Sequence, residues 1–137
     1  MSGLFSSKGS RGRVDPRRSL GQRGEEEAAR FLEKRGFAIL DRNVRSRLGE
    51  IDLVARDGAT VVFVEVKARR EGKGDPPEVG VTGGKQRRLG RLAQQYLKWK
   101  RLGEVRGRFD VVAITLDVEG RVKTVRHLPA AFEVDAW

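Results

Sequence analysis

The sequence predicts an α/β domain in which a mixed central sheet is flanked by helices. Three observations predict it. Two segments, 21–36 and 85–101, carry apolar residues at helical spacing. Five short apolar runs bounded by turn residues follow in the order three, then two, so the chain reads helix, three strands, helix, two strands. One run, "TVVFVEVKAR" (60–69), is apolar on both faces over most of its length, as a central strand covered on both sides requires.

The elements follow in order. "GQRGEEEAARFLEKRG" places acids early, Lys34 and Arg35 late, and a closing Gly36, which suits the helix dipole and a glycine stop. Ala28, Ala29 and Leu32 form its packing face. Glu25 falls on that face, while Glu26 and Glu27 fall toward more polar positions. Strands are expected at 37–43, 50–57 and 60–69, with Asp57-Gly58 marking a hairpin. Residues 71–84 form a Gly/Pro-rich loop without periodicity. In the second helix Leu89, Leu92, Ala93, Tyr96 and Leu97 make one apolar stripe. At that spacing Tyr96 and Trp99 belong to core or rim. A closing hairpin at 108–117 and 121–128 turns at Glu119-Gly120.

Length suits one domain, expected over 21–132, with a basic, flexible arm at 1–20 and a tail at 133–137. The chain has 137 residues, 29 Lys plus Arg against 19 acids, and a formal net charge of +10. Such a surplus favours a nucleic-acid or other anionic partner. The absence of cysteine excludes disulfides, thiolate zinc and thiol catalysis, and the lone His127 excludes a multi-histidine metal site. No apolar stretch is long enough for a membrane span, so no membrane partner is expected and a cytoplasmic protein is the default. "GVTGGKQ" fails as a phosphate loop, because Val79 stands where the first glycine is required and Gln86 where Ser or Thr is.

Charge inside the apolar strand is the informative feature. Side chains alternate faces, so Val61, Phe63, Glu65 and Lys67 share one, and Glu50, Asp52 and Val54 share one on the preceding strand. A two-residue turn at 57–58 sets Asp52 opposite Phe63 and Glu50 opposite Glu65. A turn at 58–59 sets Asp52 opposite Glu65. In both registers Glu50, Asp52, Glu65 and Lys67 lie on one face, whereas an odd-length loop separates them. Like charges facing each other are unfavourable, and a buried unpaired carboxylate costs several kcal/mol. A divalent cation relieves both. All-oxygen donors point to Mg²⁺ or Mn²⁺. A wet hairpin face, or Lys67 paired with Glu65 or Asp52, gives the same spacing. The Val-Val-Phe-Val run ahead of Glu65 argues against the wet face.

Several separated motifs carry a resemblance. "GE" and "AA..FL" of the first helix, "IL..N", "GEIDLVARDG", "VVFVEVK", "VT..K", "YL" and "RFDVV" occur in the order seen in the YraN family, over about residues 21–132. That family is assigned to the restriction-endonuclease-like fold, with an αβββαβ core, and is similar to archaeal Holliday-junction resolvases and the PD-(D/E)xK nucleases. The resemblance implies that Asp52 matches the first acid of the motif, although Ile51 replaces the proline. Glu65-Val66-Lys67 matches the (D/E)xK element, and Glu25 matches an acid carried on the first helix.

What the resemblance implies is an endonuclease that uses Mg²⁺ or Mn²⁺ to hydrolyse phosphodiester bonds in DNA, branched DNA included. Asp52, Glu65 and Glu25 hold the metal, Lys67 completes the catalytic set, and Glu50 is a secondary candidate. The alternative is a nucleic-acid-binding protein that keeps the fold and no longer cuts. Basic residues crowd 85–108, and Lys85, Arg88 and Arg91, with Arg69 and Arg70, are the expected nucleic-acid contacts. A homodimer is left open, since nucleases of this type often pair to cut two strands. Asp110 is expected to pair with Arg108, and His127 to be structural.

Overall fold

The computed structural model describes residues 19–72, 83–102 and 105–132. The expected arm up to residue 18, the tail 133–137 and most of the Gly/Pro-rich loop lie outside them. Seven elements follow: α1 (Leu20–Lys34), β1 (Ala38–Ser46), β2 (Gly49–Asp57), β3 (Thr60–Arg70), α2 (Gly83–Trp99), β4 (Arg106–Leu116) and β5 (Val122–Phe132). This is the order expected, helix, three strands, helix and two strands, and its first six elements are the αβββαβ core.

The sheet order is β1-β2-β3-β4-β5, antiparallel except where β3 runs parallel to β4. A parallel pair needs a crossover, and α2 supplies it. β3 is therefore the middle strand. Its two apolar faces serve two separate cores. Val62 and Val64 pack with Ala28, Ala29 and Leu32 of α1, while Val61 and Phe63 pack with Leu89, Leu92 and Tyr96 of α2. Burying each large apolar side chain contributes on the order of 1.5–3 kcal/mol.

Local chemistry sets the helix ends. Ser19 caps α1: its hydroxyl accepts from the Gln22 N–H at 3.3 Å, and the Gln22 side chain accepts from the Ser19 N–H at 3.1 Å. The helix therefore starts at Leu20, one residue before the expected boundary. Its first turn holds no acid, because Glu25 to Glu27 fall later. Glu26 is also buried rather than outward, near Arg30. Gly36, at φ +92°, stops the helix where expected.

Gly24 fixes how closely α1 approaches the sheet. A Cβ there would lie 2.5 Å from the Ala68 Cβ and 3.7 Å from Val66 Cγ1. Only glycine lets the helix lie this near β3, and Glu25 is the next residue. The Arg23 guanidinium also ties the start of α1 to the Gly120 carbonyl in the β4–β5 turn.

On β4, opposite Val64 of β3, buried Asp110 gathers four polar groups. It accepts from Arg108 Nε at 2.8 Å, Arg108 Nη2 at 3.0 Å and the Ala130 N–H at 3.0 Å, and it meets His127 Nε2 at 2.8 Å. Phe31 and Phe37 stand edge-on to His127. Asp110 and His127 thus clamp β4 to β5 beneath α1. A second buried acid, Asp41, accepts from the Tyr96 hydroxyl at 2.6 Å and pairs with Lys100 at 3.3 Å.

Candidate metal centre

The β2–β3 hairpin closes with Asp57 opposite Thr60, leaving Gly58 and Ala59 as the turn. Gly58 takes φ +59°, a conformation glycine adopts at little cost. This is the register that aligns Asp52 with Glu65. The ladder, however, stops one step short, at Leu53 opposite Val64. Past that point the strands no longer pair, and the Asp52 side chain takes the place of a strand partner. Its Oδ2 accepts the Val66 N–H at 2.8 Å.

Glu25 comes to this gap from α1, on the side where Gly24 meets Ala68. Carboxylate oxygens of Glu25, Glu50 and Asp52 lie within 4.8 Å of one another. Asn43 holds two of them: its Nδ2 donates to both oxygens of Glu25, at 2.9 and 3.0 Å, and to Glu50 at 3.1 Å. Arg45 reaches Glu50 at 3.4 Å. Asn43 sits at φ +50° in β1. Asparagine tolerates the left-handed region better than most residues, and it is depleted in ordinary strands. Those two facts, with its place in "IL..N", were the signals for a residue to which no role had been assigned.

Glu65 stands outside this close trio. Its Oε1 pairs with Lys85 Nζ of α2 at 2.7 Å, with the Glu65 side chain 13% exposed and that of Lys85 39% exposed. Lys85 thus points into the site, and any phosphate it contacts must compete with Glu65. Lys67 pairs with neither Glu65 nor Asp52; among the described residues its ammonium has no hydrogen bond or ion pair. Half-buried Arg69 follows on the same face by alternation, and its buried Nε also lacks a partner among the described residues. Arg70, Arg88 and Arg91 are exposed, whereas Arg108 and Lys100 of the basic stretch are committed to Asp110 and Asp41.

Electrostatics mark Asp52 as the strained member. Its carboxyl is pushed up to about 8, first by burial and then by the Glu65 charge, with Glu25 and Glu50 adding to the rise. The Val66 N–H opposes the rise without cancelling it. At neutral pH, Asp52 therefore prefers a proton unless another positive charge takes its place. The donors fit a hard divalent cation: all are carboxylate oxygens, and the single histidine is engaged with Asp110. No helix among the described residues is long and apolar enough to cross a membrane.

Comparison with known proteins places the chain. The model of the Uncharacterised protein family UPF0102, the YraN family of the motifs above, matches residues 24–114. A UPF0102 protein of Pelotomaculum thermopropionicum is 51% identical over 119 residues, 87% of this chain and 99% of that protein. Its counterpart in Geobacter metallireducens is 46% identical over 117 residues, 85% of this chain and 94% of the relative. That of Syntrophotalea carbinolica is 46% identical over 121 residues, 88% of this chain and 97% of the relative.

Proposed function

The chain belongs to the UPF0102 family, and we propose that it is a metal-dependent endonuclease hydrolysing phosphodiester bonds in DNA, with branched DNA as its candidate substrate. One observation carries this reading. Carboxylates of Glu25 from α1 and of Glu50 and Asp52 from β2 converge where β2 and β3 part, and burial with the neighbouring acids holds the Asp52 carboxyl well above its ordinary range. Structural ion-pair networks put cations beside such acids. Here Arg45 reaches Glu50 at 3.4 Å, whereas Asp52 has no ion pair among the described residues.

Asp52 and Glu25 would hold Mg²⁺ or Mn²⁺, with Glu50 in the same close trio and Glu65 joining them when it is not held by Lys85. A bound ion of this kind polarises a phosphate oxygen and lowers the pKa of a bound water. The chain's own groups supply the rest. Asn43 and the Val66 N–H fix the carboxylates, so little reorganisation is needed on binding. Lys67, whose ammonium has no partner among the described residues, would orient a water or offset charge on the phosphate. Arg69 and Arg70 extend positive charge along β3, and Arg88 and Arg91 along α2. Contacts of this type grip the backbone without reading sequence.

The test is incubation with linear, nicked and four-way-junction DNA in Mg²⁺ or Mn²⁺, beside Asp52→Ala and Glu65→Ala and a chelator control. Metal-dependent cutting abolished by either substitution is expected. Cutting that survives both removes the assigned site. Salt-sensitive binding without cutting supports instead a DNA-binding protein that keeps the nuclease fold.

A further inference from the structure

Lys85 occupies an unusual place for a lysine. It stands in the first turn of α2, where the helix already presents positive charge, and no acid of that turn offsets it. Around Gly83 and Gly84 the nearest groups a side chain would meet belong to the Arg87 guanidinium. Arg87 and Arg88 are exposed, while Lys85 turns to β3 and holds Glu65 at 2.7 Å. Glu65 is the acid left out of the Glu25–Glu50–Asp52 trio.

Resting on the metal-dependent reading above, we infer that Lys85 is a positioning residue: a latch that keeps Glu65 engaged until a phosphate backbone reaches the N-terminus of α2. Lys85 and a divalent ion compete for the same carboxylate. A carboxylate already neutralised by an ammonium is a poorer ligand, so the ion-free site holds its metal weakly. A phosphate at this helix end offers Lys85 a second anion, in surroundings that favour one. Once Lys85 turns to it, Glu65 is released beside Asp52. Lys67 and Arg69, on the same face of β3, are placed to take further phosphates of the strand. Metal and nucleic acid then bind cooperatively, and by linkage each tightens the other by one common factor. The site is completed only where there is a backbone to cut, which limits idle chemistry.

The test measures affinities rather than turnover. Mn²⁺ is titrated calorimetrically into the full chain without DNA, for the unsubstituted protein, Lys85→Met, Lys85→Arg and Asp52→Asn. A short fluorescein-labelled duplex is then titrated by anisotropy, in chelator and in Ca²⁺ at matched ionic strength. In the unsubstituted protein Ca²⁺ should tighten duplex binding by about tenfold, within the usual range of such couplings. Lys85→Met should bind Mn²⁺ about tenfold more tightly in the absence of DNA and lose most of the Ca²⁺ effect on the duplex. Lys85→Arg keeps the ion pair and should retain both wild-type behaviours. Asp52-dependent Mn²⁺ binding that Lys85→Met leaves unchanged or weakens overturns the latch and leaves the metal site standing. An absence of Asp52-dependent Mn²⁺ binding in every variant overturns both.

Discussion

Replacing Asp52 by asparagine should make the ion-free protein more stable at neutral pH while removing its metal affinity. Asparagine keeps a carbonyl oxygen to accept the Val66 N–H, so the 2.8 Å hydrogen bond survives and only the charge goes. The folded-state carboxyl sits at about 8, against 3.8 when free of the fold. A raised acid makes its stabilising contribution below the unfolded value and loses it as pH rises through the folded value. Between about pH 4 and pH 8 the folded chain holds the extra proton, so unfolding becomes easier as pH increases. Each tenfold displacement is about 1.4 kcal/mol, which gives up to ~4 kcal/mol at pH 7. Sharing of the proton among neighbouring acids lowers the expected gain for Asp52→Asn to about 2–3 kcal/mol. The assay is urea unfolding in chelator from pH 5 to 8.5. The unsubstituted protein should lose midpoint stability across that window, and Asp52→Asn should lose much less. Adding Mn²⁺ should restore the unsubstituted protein and leave the variant unmoved. Parallel pH profiles in chelator would refute the idea that a crowded, buried Asp52 drives metal uptake.

Two further substitutions test the supports of the site. Gly24→Ala adds a methyl where 2.5 Å separates its Cβ from that of Ala68, so urea unfolding should show a net loss of about 1–3 kcal/mol despite alanine's better helix propensity. Ala68→Gly in the same chain should recover part of that loss, and Mn²⁺ affinity should follow the position of Glu25 in both. Asp110→Asn removes the buried charge that Arg108 and His127 share, while Arg108, partly exposed, keeps its ion pair with Asp57 at 3.5 Å, so urea unfolding should show a loss of about 1–3 kcal/mol. Its Mn²⁺ affinity, measured on folded protein, should be unchanged.

Much of the fold was legible because the relevant signals are local. The apolar stripe of α2, the two-sided apolar run of β3 and the glycine stop of α1 each arise within one segment. The hairpin register was legible only down to two alternatives, since Asp57-Gly58 and Gly58-Ala59 both make two-residue turns. Glycine's ease at φ +59° in the first turn position, with Asp57 paired to Thr60, selected the second. The strand ends were less legible. β1 runs on to Ser46 through a bulge between Ile39 and Asp41, and the strand continues through Asn43 at positive φ. No periodicity announces a strand that bends in this way.

The site was legible as a set of residue types and illegible as an arrangement. Alternation suggests that Glu50, Asp52, Glu65 and Lys67 share a face, but it assumes a sheet that stays paired. The ladder ends at Leu53–Val64, and that break decides the chemistry. Had β2 and β3 remained zipped, Val66 would need a strand carbonyl for its N–H, and Asp52 would stand on one face, screened from α1. Because they part, Asp52 turns inward to satisfy Val66, and Glu25 joins Asp52 and Glu50 within 4.8 Å. Two long-range partners then sort the acids. Asn43 binds Glu25 and Glu50 into the trio, and Lys85 draws Glu65 out of it. Neither partner is adjacent in sequence to what it holds, so spacing within one strand contains no trace of either. A broken ladder supplies the opening, and its flanking amide and ammonium determine which carboxylates stand together there.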